Sequence, residues 1–511
     1  MGSRQIGAVV LFMVCCLGGA GCSDSNNNNN KANSDAPADT VDEPAPGQAL
    51  DDEVRQLISA NELTGDPATG RDLPDISDPM AQLGMKLFFT KSLGGQVDAA
   101  CVSCHHPVLG GGDDLSLPIG VDAELPDLLG PGRLHSSAGF NFDGGPTVPR
   151  NAPTTFNIGL WDQVMFHDGR VESLGKTPGR NGADGEGVRT PDTPFDEADP
   201  NARNLPQGQA LFPVTSPEEM RATFNSGDSN QQVRDALVAR LVNQDIPNTW
   251  LQEFQQAFDS DADAQELITY LNVSLAIGVY EKSQVFVDSP WRAYIQGDDA
   301  AIDDATKRGA KLFYTGSDEG GADCVACHSG DFFTDEQFHV LAPPQVGRGK
   351  GDGEFGDDDF GRFRETGGEA DRYAFRTPAL LNVSATGPWT HAGAHLTLTE
   401  VVFHHVAPAQ AIDQYDFSLA DLDLGMQGQH AEANTRRALA QLEALRDAGD
   451  SKLAVLSLSE ADVADLVAFL EALTDPCVED RVCIAPWIAE SSDVGPDNLQ
   501  LNAVDNGGDG L

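Results

Sequence analysis

The chain has 511 residues, with 80 acidic against 32 basic side chains and a formal net charge of −48 at pH 7. Because phosphate binding needs a cationic face, we exclude nucleic acid as a partner. Hydrophobic residues make up 40% of the chain and aromatic residues 7%, which is enough for ordinary cores, and the length favours two or three domains.

The first 22 residues have the features of a secretory signal. Arg4 precedes an apolar run that ends at Leu17, and small residues lead up to Cys22. The apolar run is too short to cross a bilayer. A cysteine behind small residues also resembles a lipoprotein cleavage site, where acyl chains would hold the protein at a membrane face. We expect a periplasmic or cell-envelope protein that meets the membrane only through a lipid on Cys22; a nearby cleavage that releases a soluble protein is the alternative.

Residues 23–75 are predicted to form a flexible linker. Their asparagine run at 26–30 and their many Asp, Pro and Ala residues cannot bury a core.

Two similar segments each precede a Cys-x-x-Cys-His sequence. Residues 84–90 (GMKLFFT) and 309–315 (GAKLFYT) are apolar at helical spacing, and each leads into a glycine-rich loop. Because Cys-x-x-Cys-His is the pattern of c-type haem attachment, this repetition predicts a mainly α chain with two small haem domains of the cytochrome c type, residues 76–300 and 301–476. Long loops join them, and a tail, residues 477–511, follows. Further helices are predicted at about 232–243, 248–258, 262–285, 432–447 and 459–473.

The six cysteines that follow Cys22 fall into three pairs. Cys101-Val102-Ser103-Cys104-His105 and Cys324-Val325-Ala326-Cys327-His328 both have the pattern of c-type haem attachment, in which the cysteines form thioethers and the histidine becomes the proximal iron ligand. Zinc is the rival interpretation, but neither pair has a second Cys/His pair at zinc-finger spacing. The third pair, Cys477 and Cys483, would form a disulfide outside the cytosol or remain as free thiols. The sequence therefore predicts two covalently bound c-type haems.

Several landmarks in a fixed order accompany the two haem motifs. From about Leu83 to Leu473 the chain resembles the bacterial di-haem cytochrome c peroxidase family, which includes the MauG subgroup. The landmarks are residues 150–154 (RNAPT), 166–170 (FHDGR), 213–220 (PVTSPEEM) and 386–391 (TGPWTH).

The resemblance implies an enzyme that reduces hydrogen peroxide at the N-terminal haem. The C-terminal haem would pass electrons from a cytochrome c-like or other small donor. By position, Gln209 and Glu219 match the family's distal pair, and the carboxylate would move a proton between the peroxide oxygens. A solvent-facing Gln209 and a Glu219 that only caps a helix are the alternatives.

The resemblance also implies one calcium ion between the domains. Asn151, Thr386 and Pro388 match the family's ligands, an oxygen-only set that suits a hard cation. Ordinary loop chemistry is the alternative.

Two positions near the irons depart from the family pattern. Val121 stands where ordinary members hold a second histidine above the first iron, so we expect an open site, as in the MauG subgroup, unless His135 reaches back from the following insertion. His405 stands where the second haem commonly has a methionine ligand, with His404 as the alternative, and imidazole in place of methionine should lower the haem potential.

A third departure concerns the route between the haems. His167 replaces the family's bridging tryptophan, and Trp161 either substitutes for it or belongs to the core. With these three departures from the family pattern, two functions remain as alternatives to peroxide reduction. One is peroxide-dependent oxidation of a protein side chain, as in MauG, and the other is that of a non-catalytic electron-transfer lipoprotein.

Overall fold

Helices supply most of the regular structure. The computed structural model describes residues 46–422 and 424–511, and the predicted signal, Cys22 and residues 23–45 lie outside them. The α-helices are α1 (Pro46–Ala60), α2 (Pro79–Phe89), α3 (Leu205–Gln209), α4 (Asn230–Val242), α5 (Trp250–Phe258), α6 (Ala264–Leu267), α7 (Tyr270–Lys282), α8 (Pro290–Ile295), α9 (Asp304–Tyr314), α10 (Phe363–Thr366), α11 (Leu398–Val406), α12 (Pro408–Gln414), α13 (Ala431–Ala448), α14 (Glu460–Glu471) and α15 (Arg481–Ile484). The prediction of a mainly α chain is confirmed. No helix in the described ranges is both long and apolar enough to cross a membrane.

The strands are short and form two small antiparallel sheets. The first sheet has the order β1 (Val164–Met165), β2 (Val171–Ser173), β3 (Val188–Arg189), and the second pairs β4 (Phe338–Val340) with β5 (Ala374–Arg376). Met165 pairs with Val171, so the five residues between β1 and β2 make a tight connection. This connection holds His167 and Arg170.

The helix predictions are confirmed within a few residues, except that one predicted helix is divided. Residues 262–285 form α6 and α7, separated at Ile268 and Thr269. The Thr269 side chain accepts a hydrogen bond from the Asn272 amide and so starts a new helix at this point.

The repeated segments make the same helix contact in each half of the chain. α2 packs on α7, and α9 packs on α14. A Cβ atom at Gly84 would lie 2.0 Å from the carbonyl oxygen of Ala276, and one at Gly309 would lie 1.9 Å from that of Asp465. Only glycine permits this approach, so the repeated residue has the same packing role in both halves.

The predicted linker is wrong for residues 46–75. Val54 and Ile58 of α1 are buried in the same hydrophobic cluster as Phe313 and Phe469, and Lys307 of α9 forms an ion pair with Asp51 at 2.8 Å. The acid-rich composition hid an apolar stripe of Leu50, Val54, Leu57 and Ile58 at helical spacing. The N-terminal helix therefore packs on the C-terminal half.

The C-terminal residues pack in the opposite direction, on the N-terminal half. Leu501 and Ile484 join the cluster around α2 and α7, and the Asp497 carboxylate accepts hydrogen bonds from Thr90, Ser92 and the Trp250 indole. The predicted Cys477–Cys483 disulfide is confirmed. Residues 477–511 are thus part of the packed structure.

A buried ion network joins the two halves. Arg150 donates to Asp168 at 2.6 Å and to both carboxylate oxygens of Asp359, at 2.6 and 2.8 Å. Burial alone would raise the pKa of both carboxyl groups, but the Arg150 guanidinium holds them well below their usual range. Removing one member of such a network would leave an uncompensated buried charge. Breaking the contact of Arg150 with Asp359 would therefore be strongly destabilising.

Candidate active site

The first Cys-x-x-Cys-His motif lies on a short 3₁₀ turn, Cys101–Ser103, directly after the loop that follows α2. His105 Nδ1 lies 3.1 Å from the carbonyl oxygen of Gly111. A carbonyl oxygen only accepts, so Nδ1 carries the proton and the lone pair remains on Nε2. This tautomer is the one that an iron ligand needs.

A cavity opens beside this motif. Both cysteines and His105 line it, opposite residues from the β1–β2 connection and from α3. The thiols are free, and burial raises the pKa of Cys101 and of Cys104. Paired thiols and an imidazole in one cavity wall fit a covalently attached porphyrin.

Gln209 and Glu219 both line this first cavity. Gln207, two residues before Gln209, is fully buried, and its side chain binds the backbone of Leu271 and Arg203.

Glu219 lies on a π-helical turn, Pro217–Arg221, an irregularity that often occurs at functional sites. Ser216 caps this turn by accepting a hydrogen bond from the Glu219 amide, so the helix-capping role falls to the serine, and Glu219 lines the cavity.

The charges around Glu219 act in opposite directions. Arg170 approaches its carboxylate to 4.0 Å. Burial raises the pKa of Glu219, although Arg170 and Lys350 oppose this effect. A raised pKa makes a carboxylate a stronger proton acceptor, and the protonated group can then return the proton.

Of the described histidines, His105 and His167 alone line the first cavity. Val121 is fully buried outside it. His135 points away, with Nδ1 3.2 Å from the carbonyl oxygen of Gly145 and its ring against Phe142. His135 therefore does not reach back into the cavity.

The second motif opens into a larger cavity. His328 Nδ1 lies 3.0 Å from the carbonyl oxygen of Phe333, so this Nε2 also keeps its lone pair. The buried Nε2 of His395, also in the cavity wall, has no hydrogen-bond partner among the described residues. An acidic group of a bound haem would satisfy it, so this cavity too fits a haem.

His404 and His405 both line the second cavity, but their hydrogen bonds differ. His405 Nδ1 lies 2.8 Å from the carbonyl oxygen of Val401, which leaves Nε2 available. His404 uses Nε2 to donate to the carbonyl oxygen of Leu341 at 2.9 Å. His405 thus has the free nitrogen in the same position as His105 and His328.

The two cavities share part of their walls, including His167, Trp161 and Arg376. His167 Nε2 donates to the Asn151 carbonyl oxygen at 3.1 Å, and burial lowers the pKa of His167 to about 3, so the ring is neutral. The Arg376 guanidinium lies 3.6 Å from the centre of the Trp161 ring. A cation on this face opposes the removal of an electron from the indole.

Asn151, Thr386 and Pro388 all line the second cavity. The Asn151 side-chain nitrogen donates to the carbonyl oxygens of Leu115 and Ser116, at 3.0 and 3.2 Å. This orientation leaves its side-chain oxygen as a possible cation ligand.

One other grouping of metal-ligating side chains occurs in the described residues: Cys327, Asp335 and His339. Cys327 belongs to the haem motif. Against the effect of burial, the hydrogen bond to Asp335 raises the pKa of His339 to about 9. A protonated imidazole is a poor metal ligand, so we assign no separate metal site here.

The sequence reasoning missed Lys350 and Arg376. Both line the first cavity although both lie in the C-terminal half. The repeated glycines around Lys350 mark a tightly turning loop, but the sequence has no signal for where that loop points.

Comparisons with known proteins agree with this arrangement. Residues 78–300 match the family model of the di-haem cytochrome c peroxidases. The chain is 28% identical to cytochrome c551 peroxidase of Pseudomonas aeruginosa over 366 residues, which cover 70% of this chain and 80% of the relative. It is 26% identical to methylamine utilization protein MauG of Methylorubrum extorquens over 367 residues, 71% of this chain and 77% of the relative.

Two solved structures share the fold. A MauG-like protein associated with microbial copper homeostasis matches with a TM-score of 0.51 and 22% identity, over 80% of this chain and 93% of its own. The di-haem peroxidase BthA of Burkholderia thailandensis matches with a TM-score of 0.50 and 19% identity, over 80% and 89%. Residues 78–300 are therefore similar to the di-haem cytochrome c peroxidase family.

Proposed function

We propose that the protein is a di-haem c-type peroxidase that reduces hydrogen peroxide to water with electrons from a cytochrome c-like or other small donor. The observation that carries this proposal is the first cavity. It combines a haem motif with Gln209 and Glu219, and no histidine other than His105 and His167 lines it within the described ranges.

Each haem has its own set of attaching residues in this proposal. Cys101, Cys104 and His105 would hold the first group, and Cys324, Cys327, His328 and His405 the second. A bound haem of this kind supplies the electrons that cleave peroxide. Asn151, Thr386 and Pro388 would hold one calcium ion, and a chelator that leaves the reduction potentials of both haems unchanged would count against this ion.

Glu219 moves the proton. Its carboxylate accepts a proton from one peroxide oxygen and returns it to the other, which leaves as water. Gln209 orients the peroxide through its amide group. The balance is one hydrogen peroxide, two electrons and two protons for two waters.

The cell location follows from residues that the structure does not describe. We propose two haem domains joined by long loops, exported to the periplasm or cell envelope and tethered through a lipid on Cys22. Mass spectrometry of the N-terminal peptide from membranes tests the lipid; an unmodified chain beginning elsewhere would refute it.

A second function, peroxide-dependent oxidation of a protein side chain, is favoured by His405 opposite His328. Two imidazoles stabilise oxidised iron better than imidazole and methionine. In this case the second haem would share the oxidising equivalents and accept electrons poorly from a cytochrome.

Electron paramagnetic resonance of the purified ferric protein tests the first proposal. One high-spin and one low-spin haem are expected, and two low-spin haems would instead indicate a non-catalytic electron-transfer protein. Turnover with reduced cytochrome c then separates the two enzymatic functions. Negligible turnover despite a fast reaction with peroxide would favour protein oxidation.

A further inference from the structure

The glycine-rich loop of residues 346–361 carries Lys350 from the C-terminal half into the first cavity. Gly347, Gly349 and Gly351 all have positive φ, of +87°, +59° and +84°. A Cβ atom at Gly349 would lie 2.4 Å from the carbonyl oxygen of Asp357. Because glycine has no Cβ atom, the backbone at Gly349 can lie directly against the backbone at Asp357, further along the same loop.

Both sides of Lys350 are anchored. On one side, Arg348 donates to the Asp143 carboxylate at 3.1 Å and to the Pro146 carbonyl oxygen at 2.8 Å. On the other side, the Lys350 amide donates to the Asp358 carbonyl oxygen at 2.9 Å. The loop is held to both halves of the chain, so the backbone that carries Lys350 is anchored on both sides.

The Lys350 ammonium group has no hydrogen-bonding side-chain partner in the part of the chain that the structure describes. The nearby carboxylates of Asp168 and Asp359 are both occupied by Arg150. Burial lowers the pKa of Lys350, and the neighbouring Arg150 and Arg170 lower it further. Lys350 and Glu219 line the same cavity, and a cation without a side-chain partner in a cavity wall can bind an anion there.

We propose that Lys350 is a catalytic residue of the peroxide site, contributed by the C-terminal half of the chain, and that its ammonium group binds the oxygen on which negative charge develops. This inference rests on the peroxidase function proposed above. When the O–O bond breaks, the departing oxygen takes the bonding electron pair, and Lys350 stabilises this charge until Glu219 delivers the proton that makes water. The two electrons come from the donor and the haems, as in the balance given above.

The alternative is a purely structural role, in which Lys350 neutralises an acidic group of the bound haem. The two roles predict different ligand binding. A cation that faces the peroxide should strengthen the binding of small anions, whereas a partner of the haem periphery should change the haem potential and leave anion binding alone.

Fluoride and carbon monoxide are suitable probes of the complete, haem-loaded protein. Fluoride binds ferric haem as an anion, and carbon monoxide binds reduced haem as a neutral molecule. Comparing the two affinities therefore distinguishes a change in charge at the site from a change in ligand access to the haem. The variants are Lys350→Met and Lys350→Gln, which remove the charge, and Lys350→Arg, which keeps it. Lys311→Met is the matched control, because Lys311 is an exposed lysine paired with Glu53 on the protein surface.

We expect Lys350→Met and Lys350→Gln to weaken fluoride binding about tenfold or more, the effect of losing a charge-assisted hydrogen bond. Lys350→Arg should retain most of the affinity, Lys311→Met all of it, and carbon monoxide affinity should be unchanged throughout. The carbon monoxide stretching frequency should rise when the cation is lost, and the reaction with peroxide should slow.

Unchanged fluoride affinity in both neutral variants, with full haem content, would overturn the role of Lys350 but would leave the proposed peroxidase function intact. A shift of the first haem's potential without a change in fluoride affinity would assign Lys350 to the haem periphery and overturn it too. If the unaltered protein binds neither fluoride nor carbon monoxide, the open peroxide site fails, and the role of Lys350 fails with it.

Discussion

Replacing Glu219 with glutamine tests the proton transfer on which the proposed reaction depends. Glutamine has nearly the same shape, and the π-helical turn is capped through the backbone amide of residue 219, so the cavity should keep its form. The amide cannot accept and return a proton. General acid–base catalysis contributes about 10²–10⁴-fold to a rate, so we expect the reaction with peroxide to slow at least about 100-fold, about 3 kcal/mol in the barrier.

The same change should affect anion binding in the opposite direction. Glu219 lies 4.0 Å from Arg170 and also interacts with Lys350. Neutralising it removes a negative charge from beside two cations, so fluoride should bind more tightly to Glu219→Gln than to the unaltered protein. A general loss of structure would weaken both properties, whereas the proposed role slows one and strengthens the other.

Stopped-flow absorption of the ferric protein mixed with hydrogen peroxide measures the rate, and Glu218→Gln is the matched control. Glu218 lies on the same turn and also lines the cavity, but its carboxylate accepts a hydrogen bond from Ser216. Because burial raises the pKa of Glu219, the rate should fall on acidification through a midpoint above the usual range of a glutamate, and Glu219→Gln should lose this dependence. A rate within threefold of the original for Glu219→Gln, or an equal loss in Glu218→Gln, would refute the reasoning.

Three further changes test the second haem, the inter-haem wall and the stability of the fold. His405→Ala should convert the second haem from low to high spin in electron paramagnetic resonance, whereas His404→Ala should leave it low spin because His404 Nε2 is bound to Leu341; the reverse result would make His404 the ligand. Trp161→Phe should change the rate of electron transfer between the haems little, measured after rapid reduction of the second haem, because the Arg376 cation makes this indole hard to oxidise; a large loss would show that electrons pass through Trp161. Replacing Cys477 and Cys483 together with alanine should lower the free energy of unfolding by about 2 kcal/mol, as expected for a loop of this length; an unchanged thermal unfolding curve would contradict this.

The sequence was most informative where chemistry requires a local pattern. The haem motifs, the helices before them and the ten-residue spacing from Gln209 to Glu219 are all local, and the structure brings Gln209 and Glu219 into the cavity of the first motif. The helix capped by Ser459 begins at the next residue, as its capping box predicts.

The sequence was least informative where distant segments meet. The composition of α1 predicts a linker because its acidic residues outweigh its apolar stripe. In the structure, however, Asp51 and Glu53 are paired with Lys307 and Lys311 of α9. Composition cannot separate a solvated charge from one that has a partner about 250 positions away. The same limit applies to Lys350, which lines the first cavity together with Glu219 and Arg170 of the other half.

The first cavity is consequently formed by residues from both halves of the chain. The family model ends at residue 300, yet Lys350 and Arg376 line the first cavity, and Asp359 completes the ion network of Arg150. Without the C-terminal half, Arg150 would keep Asp168 but lose the two-pronged contact to Asp359, and the cavity would lose Lys350 and Arg376. Residues 46–511 form one compact unit, in which α1 packs on the C-terminal half and residues 477–511 pack on the N-terminal half. The first cavity therefore depends on both halves for its shape and for its charge.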